Sequence, residues 1–230
     1  EILYNYKDGS DIISKIYSAY EIIRRALLKG DLLSELYFEQ ERINLDQQKK
    51  MNTKLLQEVI HDGLTGLFNR RYYDQMIQKE LLRAQREHHY FTFVMLDVDH
   101  FKLYNDTYGH SEGDKTLKAI ANVLQQKLVR AGDFVFRLGG EEFGFFFTGD
   151  TPKEAMQHTE MICKSIEALH IKHAKNSVSS YVTASFGLVN IDFNTTSMNE
   201  HLLYIAADNA LYQAKESGRN RVVQYEPEQN

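Results

Sequence analysis

The stretch RLGGEEF, residues 137–143, places two glycines and two adjacent acids between strongly apolar segments. The runs FVF and FGFFF flank it and are typical of buried β-strands. Gly139 and Gly140 can adopt the backbone angles of a tight turn, so the stretch predicts a hairpin. We expect its strands at residues 133–138 and 142–147. The fold therefore has to include a sheet built around this hairpin.

The rest of residues 61–230 alternates between segments typical of helices and segments typical of strands. Gly63 and Gly66 interrupt the preceding helical pattern, and Asn69 is placed to cap a new helix. The predicted helices span residues 70–87, 112–129, 152–170 and 199–216, and the further strands are 90–99, 180–191 and the final RVVQY. One hairpin within such an alternation predicts an α/β or α+β fold, with a mixed central sheet flanked by helices.

Residues 1–60 have a helical pattern throughout, and we expect a separate N-terminal segment there, followed by a domain over 61–230. Gly30 is interpreted as the end of a first helix, and Asp31 as the cap of a second. Apolar residues recur at steps of three and four in both, namely Ile13, Ile16, Tyr20, Ile23 and Leu27, then Leu33, Leu36, Ile43, Met51, Leu55 and Val59. Two interpretations stay open: a helical hairpin packed on the neighbouring domain, and a dimerising stalk that transmits a signal.

Composition excludes several classes of protein. The formal charge of −5 argues against a surface that coats nucleic acid, so no nucleic-acid partner is expected. The single cysteine, Cys163, excludes an internal disulfide framework and fits a reducing, cytoplasmic compartment. No apolar run approaches the ~20 residues that cross a bilayer. The chain opens with Glu1 rather than Met, so we expect a longer protein, which could be attached to a membrane.

Several oxygen ligands are predicted to meet at one edge of the sheet. Asp97 and Asp99 lie two residues apart at the end of a predicted strand, and the Val98 carbonyl lies between them. A hairpin between neighbouring strands would bring Glu141 or Glu142 to Asp97, and clustered carboxylates are costly unless a divalent cation neutralises them. The pattern therefore favours a metal ion that carries a polyphosphate. An exposed, acid-rich turn is the simpler alternative.

Two other segments carry residues that could bind a nucleotide. Asn105 and Asp114 have the donors and acceptors needed to read guanine, but taken without context they are better explained by turn formation at Asn105 and a favourable helix-start acid at Asp114. Lys215 and Arg219 lie near the end of a predicted helix, where basic residues are favoured by the helix dipole or would hold phosphate. Pattern alone leaves both alternatives open.

These stretches, taken in order, resemble the GGDEF family of diguanylate cyclases in its GGEEF variant. The resemblance covers about residues 61 to 226 and rests on DGLTGLFNRR, DVDHFKLYNDTYGHSEGD, RLGGEEF, TASFG and ADNALYQAKESGRNR. It implies a palm-like nucleotidyl-cyclase fold behind an N-terminal helical stalk. It also implies that two GTP molecules are joined into cyclic di-GMP with release of two pyrophosphates.

The resemblance implies a role for each matching position. Asp97, the Val98 carbonyl and Glu142 would hold Mg²⁺, with Mn²⁺ as an alternative, and Glu141 would help to activate the 3′-hydroxyl. The implied nucleotide contacts are Gly139 and Gly140 along the nucleotide, Asn105 and Asp114 at guanine, and Lys215, Arg219 and Lys102 at phosphate.

The resemblance also implies partners and regulation. Each 3′-hydroxyl must attack a GTP held by another domain, so a homodimer through the N-terminal helices is expected, with a sensory domain upstream. Arg130 and Asp133 match the Arg-x-x-Asp pattern that binds the product in many members, although a surface ion pair is a real competitor. A non-catalytic dinucleotide receptor and a cyclase with an adenine-containing product remain alternatives.

Overall fold

The computed structural model describes residues 8–226, and within its first helix the side chains of residues 8–12 and 52–58 are outside the description. The chain divides into two units between Gln57 and Glu58, and the second is called the C-terminal unit below. No helix in the described part of the chain combines the length and the apolar character needed to cross a membrane.

The described residues of the N-terminal unit belong to one continuous helix, α1 (Asp8–Ile60), whose last three residues are part of the C-terminal unit. The prediction of a stop at Gly30 and a new cap at Asp31 is wrong, and so is the helical hairpin built on it. A glycine inside a helix costs only about 1 kcal/mol relative to alanine. Gly30 has a helical backbone, so α1 continues through this residue in spite of the small loss of helix stability.

The apolar residues of α1 that form the predicted seam are exposed in the single chain. Their exposed fractions range from 43% at Ile43 to 69% at Ile13. Leu55, which belongs to the same pattern, lies outside the described side chains. Within its own chain, α1 therefore buries none of the predicted seam residues whose side chains are described.

The C-terminal unit contains a six-stranded mixed sheet in the order β1-β3-β4-β2-β5-β6. The strands are β1 (Phe68–Asn69), β2 (Tyr90–Val98), β3 (Phe134–Gly139), β4 (Glu142–Thr148), β5 (Ala184–Asp192) and β6 (Val222–Gln224). Strand β2 is central and runs antiparallel to β4 and β5, whereas the outer pairs β1–β3 and β5–β6 are parallel. This confirms the predicted mixed sheet and the hairpin at the glycines.

Both faces of the sheet are covered, because alternate residues of its central strands are apolar on each side. Val94 and Leu96 pack in one core cluster with residues of α4 (His110–Lys127) and α5 (Pro152–Glu167). Phe93 and Met95 pack in the other with residues of α2 (Arg70–Glu87) and α6 (Glu200–Glu216). Since these strands are buried on both faces, they read as continuous apolar runs rather than as alternating ones.

Capping residues explain where three of the helices begin. The Asn69 side chain accepts a hydrogen bond from the Tyr72 backbone N–H, as predicted. Thr151 and Glu154 form a reciprocal capping box ahead of α5, and Pro152 occupies its first turn. Asn199 caps α6 in the same way as Asn69 caps α2.

The region after β2 departs from the prediction. The expected loop contains α3 (Phe101–Tyr108), and α4 already begins at His110. Gly109 separates the two helices with a φ of 86°. The sequence did not predict α3, because the segment is largely polar and only the buried residues Phe101 and Tyr104 mark an apolar face.

Candidate active site

The two predicted metal-binding acids lie directly opposite one another at the end of the hairpin. Asp97 is the register partner of Glu142 across the antiparallel β2–β4 pair. Directly opposed residues of an antiparallel pair project from the same face of the sheet. The Val98 backbone N–H donates to the Glu141 carbonyl at 3.4 Å, so the turn closes over the end of β2. The sheet thus brings these four residues together.

The carboxylate of Asp97 is desolvated and paired with a cation. Its side chain is 14% exposed, and the Lys215 Nζ lies 3.0 Å from its Oδ1. Burial raises the pKa of Asp97 to about 6, since the attraction of Lys215 is outweighed and Glu141 and Glu142 repel its charge. An acid held in this way has a strong electrostatic demand for a further positive charge.

The turn between β3 and β4 leaves open space beside its two glycines. Gly140 has a φ of 49°, a left-handed conformation that glycine adopts at little cost. No heavy atom apart from those of the adjacent residues lies within 4 Å of the positions where Gly139 or Gly140 would carry a Cβ. A ligand could therefore approach the backbone of the turn closely.

The two residues predicted to read guanine lie on consecutive helices. Asn105 is in α3, and its Oδ1 is buried with no hydrogen-bond partner in the described structure. Gly113 of α4 packs beneath this oxygen, and a Cβ at that position would collide with it. Asp114 is the next residue and is exposed. Gly113 could not be assigned a role from the sequence, because only the packing of α3 on α4 reveals that the Asn105 amide needs this space.

Asp99 does not belong to the group of residues around Asp97 at the end of β2. It is 1% exposed, and its carboxylate accepts hydrogen bonds from the Thr183 and Ser185 hydroxyls at 2.8 and 2.6 Å. It also accepts the Asn220 backbone N–H at 3.1 Å. The acid that follows Asp97 at a spacing of two therefore anchors β5 and the segment after α6.

That anchored segment carries the predicted phosphate ligands. Lys215 lies in the last turn of α6, and Arg219 follows with a φ of 60°. The neighbouring Asn220 is tied to Asp99, which fixes the backbone next to Arg219. Lys102 is exposed in the first turn of α3. Of these three basic residues, Lys215 is the one that the structure places in direct contact with Asp97.

Arg130 and Asp133 lie near the opposite end of the sheet, where β3 begins and β4 ends. The Arg130 backbone N–H donates to the Asp133 carboxylate at 2.9 Å, whereas its guanidinium pairs with Asp150 at 2.7 Å. Burial raises the pKa of Asp133 in spite of the hydrogen bond from Arg130. The alternative of a surface ion pair between Arg130 and Asp133 is therefore wrong, since the guanidinium of Arg130 pairs with Asp150 instead.

The donor set at Asp97 suits a hard divalent cation. In the described residues, no group of three or more His, Cys, Asp and Glu side chains is arranged to hold a metal ion. Two carboxylates and a backbone carbonyl, with the remaining positions left to phosphate and water, are nevertheless typical of Mg²⁺ bound together with a nucleotide. Asp97 already has a cationic group against it, which shows that this pocket accepts positive charge.

Comparisons with known proteins agree with this geometry. Residues 59–221 match the family model described as diguanylate cyclase, GGDEF domain. The chain is 38% identical over 162 residues to the probable diguanylate cyclase DgcT of Escherichia coli K12, covering 70% of this chain and 35% of that protein. It is 37% identical over 182 residues to the diguanylate cyclase VdcA of Vibrio cholerae, covering 79% of this chain and 51% of that one. The chain thus spans about a third to a half of these relatives.

A solved structure shows a similar arrangement of elements. The coiled coil and GGDEF domain of DgcB from Caulobacter crescentus, in complex with c-di-GMP, superposes with a TM-score of 0.73 at 26% identity. The match covers 83% of this chain and 98% of that one.

Proposed function

Because the chain belongs to the diguanylate cyclase GGDEF domain family, whose cyclases depend on a metal ion, we propose that it condenses two GTP molecules into cyclic di-GMP and two pyrophosphates. The observation that carries this proposal is the opposition of Asp97 and Glu142 beside the open glycine turn. These acids and the Val98 carbonyl would hold Mg²⁺, or Mn²⁺ in its place. When bound, the ion stabilises negative charge on the reacting phosphates.

Each residue of the site would then have a defined task. Gly139 and Gly140 admit the nucleotide close to the backbone, and Asn105 and Asp114 hold guanine. The unpartnered Asn105 Oδ1 supports this assignment, since a buried acceptor without a donor is costly. The cations Lys102, Lys215 and Arg219 would hold phosphate, and Lys215 would exchange its contact with Asp97 for one with the triphosphate.

The chemical step forms one bond and breaks another at each α-phosphorus. The 3′-oxygen of one GTP attacks the α-phosphorus of the GTP in the partner domain, and the bond to pyrophosphate breaks. Glu141, which lies on the turn, would accept the proton that leaves the 3′-hydroxyl. Positioning two substrates face to face supplies much of the remaining rate.

We also propose that residues 1–60 dimerise two copies and that residues 61–230 form the catalytic domain. The exposed seam of α1 supports this, because contiguous apolar surface on a helix favours a partner. The occupant is a second copy of the same helix, as the reaction needs two domains. A sensory domain upstream and a cytoplasmic location are further parts of this proposal.

Product binding at Arg130 and Asp133 would regulate the enzyme. The guanidinium is bound to Asp150 through a single N–H, so its other donors are available for guanine or phosphate. The solved relative in complex with c-di-GMP supports such a site here.

The test is product identification over a range of protein concentrations. The chain is incubated with Mg²⁺ and GTP, ATP or both, and cyclic di-GMP is expected from GTP alone. Specific activity should rise with protein concentration and fall in Ile16→Glu/Ile23→Glu, but not in Ser18→Glu on the opposite face of α1. Binding of cyclic di-GMP without turnover would instead identify a receptor, and a mixed dinucleotide would identify a different cyclase.

A further inference from the structure

Arg137 closes the glycine turn from within the hairpin. It lies in β3, two residues before Gly139, and donates from its Nε and Nη2 to the Gly140 carbonyl at 3.0 and 2.8 Å. Among the described residues, no heavy atom beyond the adjacent residues lies within 4 Å of the Cβ positions of Gly139 and Gly140, so side-chain packing at these positions does not hold the turn. These two hydrogen bonds are thus a specific restraint on the backbone that carries Glu141 and Glu142.

The same guanidinium is held by Asp62. Its Nη1 donates to both carboxylate oxygens of Asp62, at 3.0 and 3.2 Å. The side chains of Arg137 and Asp62 are only 15% and 23% exposed, so solvent screens this pair less than an ion pair on the surface. A planar guanidinium that is fixed at one end is well suited to orient a group at its other end.

Asp62 is in turn fixed by its own loop. Its Oδ1 accepts the Thr65 backbone N–H at 2.8 Å and the Thr65 hydroxyl at 2.7 Å. Its backbone N–H donates to the Leu67 carbonyl at 2.7 Å. Burial would raise the pKa of Asp62, but the hydrogen bonds from Thr65 and Arg137 outweigh it and the pKa is lowered. The carboxylate is therefore a rigid, charged anchor.

This loop directly follows the last turn of α1. Asp62 lies two residues after Ile60, where the helix ends. The Asn69 Nδ2 donates to the carbonyls of Val59 and His61 at 2.8 and 3.2 Å, which binds the helix end to the same loop. The hydrogen bonds from Asn69 thus join the end of α1 to the loop that contains Asp62. Through Arg137, Asp62 joins that loop to the Gly139–Gly140 turn.

We propose that Asp62 is a positioning residue for the reaction, acting through Arg137 on the Gly139–Gly140 turn. It touches neither substrate nor metal, but it fixes the guanidinium that fixes the carbonyl beside the two catalytic acids. This inference rests on the proposed function of Glu141 and Glu142. It extends the functional machinery to a residue at the foot of the N-terminal helix.

The test combines kinetics with a double-mutant cycle. Asp62→Asn keeps an oxygen for Thr65 but removes the charge and one of the oxygens that bind Arg137. We expect kcat to fall about tenfold with KM for GTP changed less than about threefold, because a misplaced turn weakens the transition state more than substrate binding. Arg137→Ala should cause a similar loss. The double variant should lose no more than about twofold beyond Arg137→Ala, since the pair acts as a unit.

Two further variants separate positioning from a general loss of structure. Arg137→Lys keeps a positive charge but loses the planar fork, so it should resemble Arg137→Ala in kcat. Asp74→Asn removes the carboxylate of a matched pair, with Arg70 at 3.0 Å, and should change kcat by less than about twofold. All variants are assayed well below their own unfolding temperatures, with kcat expressed per folded molecule.

The outcomes distinguish the two levels of the proposal. If the unmodified chain makes no cyclic di-GMP, the proposed function fails, whatever Asp62 does. If the unmodified chain is active and Asp62→Asn keeps full kcat, the positioning role is overturned. It is equally overturned if Arg137→Lys restores activity, or if the losses of the two single variants multiply in the double variant.

Discussion

The two ends of the central sheet each hold a carboxylate paired with a cation, yet they differ in environment. At the end of the proposed active site, Asp97 and Lys215 are 14% and 30% exposed, and two more acids, Glu141 and Glu142, adjoin them. At the other end, Asp150 is buried to a similar degree, but its partner Arg130 is 56% exposed. The difference teaches that a short ion-pair distance alone does not distinguish the two ends. At the Asp97 end both partners of the pair are partly buried, whereas at the Asp150 end the cation is largely exposed.

Removing the Asp97 carboxylate, which is proposed to bind the metal, should have the largest effect. We expect Asp97→Asn to lower turnover about a thousandfold, or about 4 kcal/mol of transition-state stabilisation, because the proposed metal would lose a charged ligand. Initial rates of pyrophosphate release from GTP measure this. Glu160→Gln, which removes an exposed acid on α5, is the matched control. A loss of less than about tenfold would show that the two ends are less different than their charges indicate.

At the other end of the sheet, Arg130→Ala should weaken the binding of added cyclic di-GMP by about thirtyfold, since a bidentate contact to guanine or phosphate is worth about 2 kcal/mol. Calorimetric titration of the purified protein measures it. Arg86→Ala, which removes an exposed arginine of α2, should leave binding unchanged. Unaltered affinity in Arg130→Ala would place the product elsewhere.

The free energy of unfolding should depend on pH, because the attraction of Lys215 does not offset the burial of the Asp97 carboxylate. Its pKa is raised from 3.8 to about 6, so the folded protein holds this proton more tightly than the unfolded chain. Between these pH values, rising pH therefore costs the folded state stability, by roughly 2–3 kcal/mol when complete. In metal-free buffer, Asp97→Asn should lack this loss, so its advantage in thermal unfolding should grow from pH 4 to 6 and then level off. A constant difference across that range would contradict the raised pKa.

The pair between Arg130 and Asp150, whose cation is exposed, should contribute least to stability. We expect Asp150→Asn to change the free energy of unfolding by less than about 1 kcal/mol, because Arg130 is largely solvated and pairs of this kind contribute little. Urea unfolding of the two proteins at the same pH measures the difference. A larger change would mean that Asp150 supports the start of α5 as well as Arg130.

The sequence predicted most of the C-terminal unit because its signals are local. Asn69 marks a helix start by its capping chemistry, and the glycines mark the hairpin. The apolar strands followed from composition. Gly30 misled the prediction because a glycine is compatible with a helix interior as well as with a helix end.

What the sequence determined by itself was the set of motifs, the order of most helices and strands of the C-terminal unit, and the acids that could bind a metal. Only the tertiary structure separated Asp97, beside Lys215, from Asp99, buried among hydroxyl groups two residues later. It alone joined Asp62 to Arg137 and seated Gly113 under Asn105. The physical reason is that these roles depend on desolvation and on partners distant in the chain, which register and packing set. Local spacing carries no record of either.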